Sequence, residues 1–294
     1  MFEGATTALI TPFLKNGEVD YEGYRKNLLF QIKSGINGLL ALGTTGETPT
    51  LDEEEQEKLI RITVEEAKGK VPVMVGTGTN DTAKSIRRSE IAEKLGADAV
   101  LVVTPYYNKP TNEGLFRHFK AVSDSIGIPI FVYNIQGRTG KNIETPVLKR
   151  IAEIKGVAGV KEASGNVAQM SDVIEQIARK KSFTVVSGDD GLTLPLMSLG
   201  GKGVISVISN AIPAQVAEFV RFGLSGDFTN AARMHYEIIM PVTRIAFIET
   251  NPVPIKYICG RLGLASGTYR LPMCDPEEAS RNRIDSVLRE LKLI

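Results

Sequence analysis

The stretch GLLALGTTGETPTLDEEEQEKLIRITVEEAKGKVPVMVGTG, residues 38–78, decides the fold. It opens on a short apolar run from Gly38, passes through a helical stretch from Asp52 to Ala67, and returns to a second apolar run from Val71. Short apolar runs closed by turn residues read as buried parallel strands, and the stretch between them has the length that a crossover helix needs. Asp52 with Glu55 three residues later marks the start of that helix, because each side chain can satisfy a backbone N–H left open at a helix N-terminus.

The same unit recurs in both directions. Further runs are GATTALITPF from Gly4, AVLVVTP from Ala99, IPIFVYN from Ile128, VAGVKEAS from Val157, FTVVSGDD from Phe183 and GVISVIS from Gly203. Helical segments Thr82 to Leu95, opened by Asp81, and Asn112 to Ser125 separate some of them. With the two runs of the opening stretch this makes eight βα units up to about Gly223, the pattern of a (β/α)₈ TIM barrel. A doubly wound sheet is the alternative, but the glycine fingerprint it needs after its first strand is missing. Residues 1–224 are therefore read as the barrel and 225–294 as a helical C-terminal region, broken at Asn251-Pro252-Val253-Pro254 and Leu271-Pro272. No low-complexity linker separates the two, so they are expected to pack together.

Composition narrows the function. A chain of 294 residues with 43% hydrophobic content buries a large core, and 35 basic against 34 acidic residues leave a net charge of +1. No global field attracts nucleic acid or an anionic membrane, so a small-molecule partner is expected. The opening residues MFEGATTALITPF read as a strand rather than a targeting segment, and no run of about 18 apolar residues suggests a membrane span; a cytoplasmic protein is expected. Cys259 and Cys274 are too few for a disulfide framework or a zinc site and read as buried thiols. His118 and His235 fall on helical stretches away from strand ends, which disfavours them as bases or metal ligands.

In this fold the site lies at the C-terminal ends of the strands. There, Lys161 follows Val157-Ala158-Gly159-Val160 inside an apolar strand. Burial disfavours its charged form and makes the amine a nucleophile; a buried ion pair with a carboxylate such as Glu162 is the competing reading. Tyr133 closes the neighbouring strand as a proton shuttle or as a core tyrosine. Gly43-Thr44-Thr45-Gly46 is either a cradle of hydroxyls and N–H groups for a small carboxylate or an ordinary turn. Arg138, on the Gly137–Gly140 loop, is either a carboxylate clamp or a surface arginine. Asp189-Asp190 reads as a turn or helix cap rather than a cation site.

These positions carry a resemblance that spans essentially the whole chain: GTTGE at 43–47, TPYYNKP at 104–110, YN with GRTG at 133–140, GVKEAS at 159–164, SGDD at 187–190 and ETNPVPIK at 249–256. In that order they resemble the dihydrodipicolinate synthase family, within the N-acetylneuraminate lyase superfamily of pyruvate-dependent class I aldolases. The resemblance implies that Lys161 forms an imine with pyruvate, whose enamine then attacks L-aspartate 4-semialdehyde on the way to diaminopimelate and lysine. It implies a proton relay of Thr45, Tyr107 and Tyr133, with Tyr107 reaching into a neighbouring subunit. Thr44 and Thr45 would hold the pyruvate carboxylate and Arg138 that of the semialdehyde, while Gly188 and Ile205 would line the pocket. No cofactor and no metal are implied, and a homotetramer built from two dimers is.

Two departures stand out. Gln136 occupies a position where the family usually has proline, which frees φ next to Arg138. Glu53, Gln56 and Lys84 replace the histidines and glutamate common in the effector pocket of lysine-inhibited members, whereas Asn80 and Tyr106 remain. The competing functions are an aldolase that releases pyruvate from a 2-keto-3-deoxy sugar acid or N-acetylneuraminate, and a non-catalytic homologue that keeps only the barrel.

Overall fold

A computed structural model describes residues 2–294. Eight parallel strands, β1 (Gly4–Ala8), β2 (Gly38–Ala41), β3 (Val73–Gly76), β4 (Ala99–Val103), β5 (Ile130–Asn134), β6 (Val157–Glu162), β7 (Thr184–Ser187) and β8 (Gly203–Ser206), close into a barrel in sequence order. Each coincides with one of the eight apolar runs.

Helices α1 (Tyr21–Lys33), α2 (Glu53–Ala67), α3 (Thr82–Lys94), α4 (Asn112–Ser125), α5 (Gln136–Thr139), α6 (Thr145–Ala152), α7 (Val167–Val173), α8 (Thr193–Ser198) and α9 (Pro213–Leu224) lie in the connections and after β8. Four more, α10 (Phe228–Met234), α11 (Met240–Ala246), α12 (Val253–Arg261) and α13 (Glu278–Glu290), make up most of the C-terminal region. Asp52 and Glu55 form the expected capping box on α2, and Asp81 accepts from two N–H groups at the start of α3. Among the described residues no helix is long and apolar enough to cross a membrane.

Strand alternation sorts the side chains into two cores. One set fills the barrel interior: Ala8, Leu40, Met74, Ala99, Leu101, Phe131, Tyr133, Val186 and Ile205, with Phe2 closing the bottom edge-on against Phe131. The alternate set, including Leu39, Val75, Val100, Val132 and Val185, faces the helices. Period-2 alternation inside a closed parallel sheet requires this division, because consecutive side chains leave opposite faces. At Gly159 a Cβ would collide with the Phe131 ring and the Thr184 carbonyl. The central aromatic therefore demands glycine there, one step along the same face from Lys161.

Two expectations change. Cys259 is buried, but Cys274 is exposed beyond the Leu271-Pro272 break, outside the helices that would have covered it. The Gly137–Gly140 segment is not an open loop: it belongs to the single turn of α5, closed by Gly140 in the left-handed conformation with φ of +69°. Gln136 holds the first position of that turn, where a backbone N–H has no helical acceptor. Proline is tolerated there but not required, and the turn closes without it.

Candidate active site

Lys161 and Tyr133 are partners in the β5–β6 register, so both point into the barrel near its C-terminal end. The Lys161 Nζ lies 4.3 Å from the centre of the Tyr133 ring. Glu162 leaves the strand on the opposite face, where its carboxylate accepts from the Asn134 side chain and from the Ser164 N–H. The strand pleat thus separates the lysine from the carboxylate next to it in sequence. Lys161 makes no ion pair with any described residue, which removes the competing buried-pair reading.

Burial lowers the Lys161 pKa from 10.5 to about 7; the Asp190 carboxylate pulls it partly back and Arg138 pushes it further down. The desolvation of the ammonium outweighs the attraction of Asp190, which is engaged elsewhere: its side chain accepts from the Val207 and Ile208 N–H groups and ties the loop after β7 to the end of β8. Asp190 is itself pushed up to about 6, chiefly by burial. Asp189 accepts from Gly191 N–H as the expected cap. Tyr133 is raised above the usual phenol range by burial, with Arg138 acting against it, so it is a neutral donor at pH 7. Gly188 packs directly on the lysine: a Cβ there would stand 3.0 Å from Lys161 Cε.

These groups open onto a cavity of about 390 Å³ whose lining includes Thr44, Tyr133, Arg138 and Lys161 together with Asn80, Lys84, Arg88 and Tyr106. Thr44 and Thr45 lie in a short 3₁₀ turn, residues 44–46, after β2; Thr44 is exposed to the cavity and Thr45 is buried behind it. Ile205 is buried in the barrel interior at the end of β8. Tyr107 alone stands apart: it is 89% exposed, on a turn with φ of +67°, and belongs to the surface of this chain. The structure therefore brings Lys161, Tyr133, Thr44 and Arg138 around one space, packs Gly188 against Lys161, buries Thr45 and Ile205, and leaves Tyr107 outside.

Three residues that had no assigned role complete the surroundings. Glu47, left-handed with φ of +52°, is buried and forms an ion pair with the fully buried Lys256 of α12, at 2.6 Å. The same lysine donates to the Thr268 carbonyl, and Phe13 and Tyr269 present their ring faces to it. Breaking such a pair by removing one partner costs about 3–5 kcal/mol, because the other charge stays buried. Asn251, just before α12, donates its side-chain amide to Thr45 Oγ1 at 3.1 Å, while its carbonyl accepts from Arg138 Nη2 at 3.1 Å. All three lie within the quoted GTTGE and ETNPVPIK stretches. Motif membership was their only signal, since the Asn251–Thr45 and Lys256–Glu47 bonds join positions about 200 residues apart in sequence.

Chemically, an uncharged amine beside a protonated phenol can add to a ketone and expel water. Arg138 and the Thr44 turn offer a cation and hydroxyls for carboxylate groups on the reactants.

The chain is similar to known proteins along its whole length. The model of the "Dihydrodipicolinate synthetase family" matches residues 1–291. Two proteins named 4-hydroxy-tetrahydrodipicolinate synthase are similar along their length. One, from Methanocaldococcus jannaschii, is 46% identical with all of both chains covered. The other, from Protochlamydia amoebophila, is 46% identical over 98% of this chain and 96% of its own. The crystal structure of dihydrodipicolinate synthase from Thermotoga maritima superimposes with a TM-score of 0.97 at 43% identity, over all of both chains.

The depressed Lys161 pKa has a consequence for stability. The unfolded chain keeps this lysine protonated up to about its ordinary 10.5, the folded chain only up to about 7. Folding therefore carries a penalty that is complete below pH 7 and fades as pH rises towards 10.5. Lys161→Met is expected to raise the unfolding temperature by about 3 °C or more below pH 7, with the gap closing above it. A gap that ignores pH in thermal scans across this range contradicts an unpaired buried ammonium.

Proposed function

The chain belongs to the dihydrodipicolinate synthetase family, and from that premise we propose that Lys161 is the amine through which it carries out the 4-hydroxy-tetrahydrodipicolinate synthase reaction. The substrates are pyruvate and L-aspartate 4-semialdehyde, and the pathway is that of diaminopimelate and lysine. One observation carries the assignment of the nucleophile: a lysine buried in the barrel without a carboxylate partner, its pKa near 7, opening onto the cavity beside Tyr133.

The neutral amine adds to the pyruvate ketone. Tyr133 protonates the departing hydroxyl, water leaves, and the imine remains; loss of a methyl proton then makes the enamine. The enamine carbon attacks the semialdehyde aldehyde, and the amino group of the adduct displaces Lys161 as the ring closes. Thr44 and Thr45 hold the pyruvate carboxylate, and Thr45 passes protons to and from Tyr133, which avoids routing them through bulk water. Arg138 holds the carboxylate of the semialdehyde, and Gly188 and Ile205 line the space where the imine forms. Gly188 suits that position because any side chain there meets Lys161.

The outward placement of Tyr107 supports a shared site. A phenol that is 89% exposed on a left-handed turn is free to enter the pocket of a second copy. The active form is then at least a dimer, with a homotetramer of two dimers as the full assembly. A reducing cytoplasm suits the unpaired thiols of Cys259 and Cys274.

The second substrate is tested by steady-state assays. Condensation with L-aspartate 4-semialdehyde is expected, and cleavage of 2-keto-3-deoxygluconate is not; the reverse preference overturns the reading. Arg138→Leu is expected to lower kcat/KM for the semialdehyde about a hundredfold with the pyruvate KM nearly unchanged. Lys84 places a positive charge on the lining of the cavity that also holds Asn80 and Tyr106, where it repels a cationic effector. L-lysine in the submillimolar range is accordingly expected to leave the rate unaltered, and clear inhibition there contradicts this.

A further inference from the structure

Asn251 stands in the ETNPVPIK stretch, to which the proposed mechanism assigns no task. It is buried, and its position is fixed from both sides. Immediately after it, α12 is anchored by the Lys256–Glu47 ion pair. On its own carbonyl it receives the Arg138 guanidinium. Its side-chain amide donates to Thr45 Oγ1, while its own Oδ1 is buried with no protein partner. Among the described residues Asn251 is the sole side-chain partner of the Thr45 hydroxyl.

A hydroxyl has one proton to give and two lone pairs with which to accept. Where an amide N–H occupies a lone pair, the O–H is left to donate elsewhere. We propose that Asn251 sets the direction of the proton relay: by donating to Thr45 it turns the Thr45 O–H away from α12 and towards the reacting groups. It is a positioning residue, and this role rests on the reading of Thr45 as a relay member.

The balance of the dehydration step shows what Asn251 contributes. The carbinolamine C–O bond breaks as the nitrogen lone pair forms C=N, and the departing oxygen takes the Tyr133 proton to leave as water. Tyr133 recovers a proton from Thr45. The electron pair left on the Thr45 oxygen balances the positive charge of the iminium N–H just formed and faces the Asn251 N–H, a donor that favours the charged form. It stays there until Tyr107 of a second copy, the third hydroxyl of the relay, passes back a proton from solvent. A group that accepts from Thr45 instead of donating to it reverses this direction.

Substitution by an acceptor of the same shape separates this role from simple packing. Asn251→Asp keeps the size of the side chain but can only accept from Thr45 when ionised. It is expected to lower kcat about a hundredfold, within the range of general acid–base effects, with the pyruvate KM changed little. Asn251→Ala frees the Thr45 hydroxyl without reversing it, so its kcat should fall less than that of Asn251→Asp. In a Thr45→Val background, which lacks the hydroxyl, neither change should lower kcat further. An Asp variant as active as the Ala variant, or losses that persist in the Thr45→Val background, overturn the proposal for Asn251 while leaving the relay intact. If the Asp variant does not fold, the Ala variant with and without Thr45→Val decides by the same criterion. Full activity of Thr45→Val itself removes the relay, and the role of Asn251 with it.

Discussion

The desolvation of one ammonium group, without a carboxylate to offset it, is the constraint on which the rest of the structure depends. The interior of a parallel barrel is filled by apolar side chains, and Lys161 interrupts that filling at the end of β6. Glu162 cannot reach it because the strand pleat sends the two side chains to opposite faces. Asp190 is close enough to act on it but is occupied by the Val207 and Ile208 N–H groups. The amine is held near neutrality by what the fold keeps away from it.

Lys256 is the instructive contrast. It is at least as deeply buried, yet it meets Glu47 at 2.6 Å, a carbonyl and two aromatic faces. Here too burial lowers the lysine's pKa, but the Glu47 carboxylate pulls it back, and the pair fastens two distant segments. Arg270 extends the same clamp, holding Glu55 and the Thr50 carbonyl on the loop and helix that follow the Thr44–Thr45 turn. Hydrogen bonds from Arg270 keep the Glu55 carboxyl below its usual range. The C-terminal region is thus bonded to the segment that follows β2, from Glu47 to Glu55. One chain buries the same residue type twice, once paired with a carboxylate and once without one, and only the surroundings distinguish them.

The barrel was legible because its signals are local. A run such as AVLVVTP and a segment such as Asn112 to Ser125 carry their periodicities in a window of a dozen residues, and α4 spans those same residues. The position of Lys161 at a strand end was legible for the same reason. Its freedom from Glu162 was not, since adjacency in sequence suggests contact and the pleat forbids it. Glu47, Asn251 and Lys256 were missed because the Lys256–Glu47 and Asn251–Thr45 bonds join positions more than 200 residues apart. Such pairings leave no periodic trace in a single sequence. The exposure of Cys274 and the helical turn around Arg138 belong to irregular connections, where tertiary contacts outweigh local propensity.

On the proposed reading the Lys161 amine, its pKa lowered to about 7 and open to the cavity, bonds to the ketone of pyruvate, and borohydride reduction makes that bond permanent. Incubation of the protein with pyruvate and borohydride, followed by mass analysis of its peptides, should find the reduced adduct on the peptide that carries Lys161 and on no other. An adduct on a different lysine, or none at all in folded protein, contradicts the account.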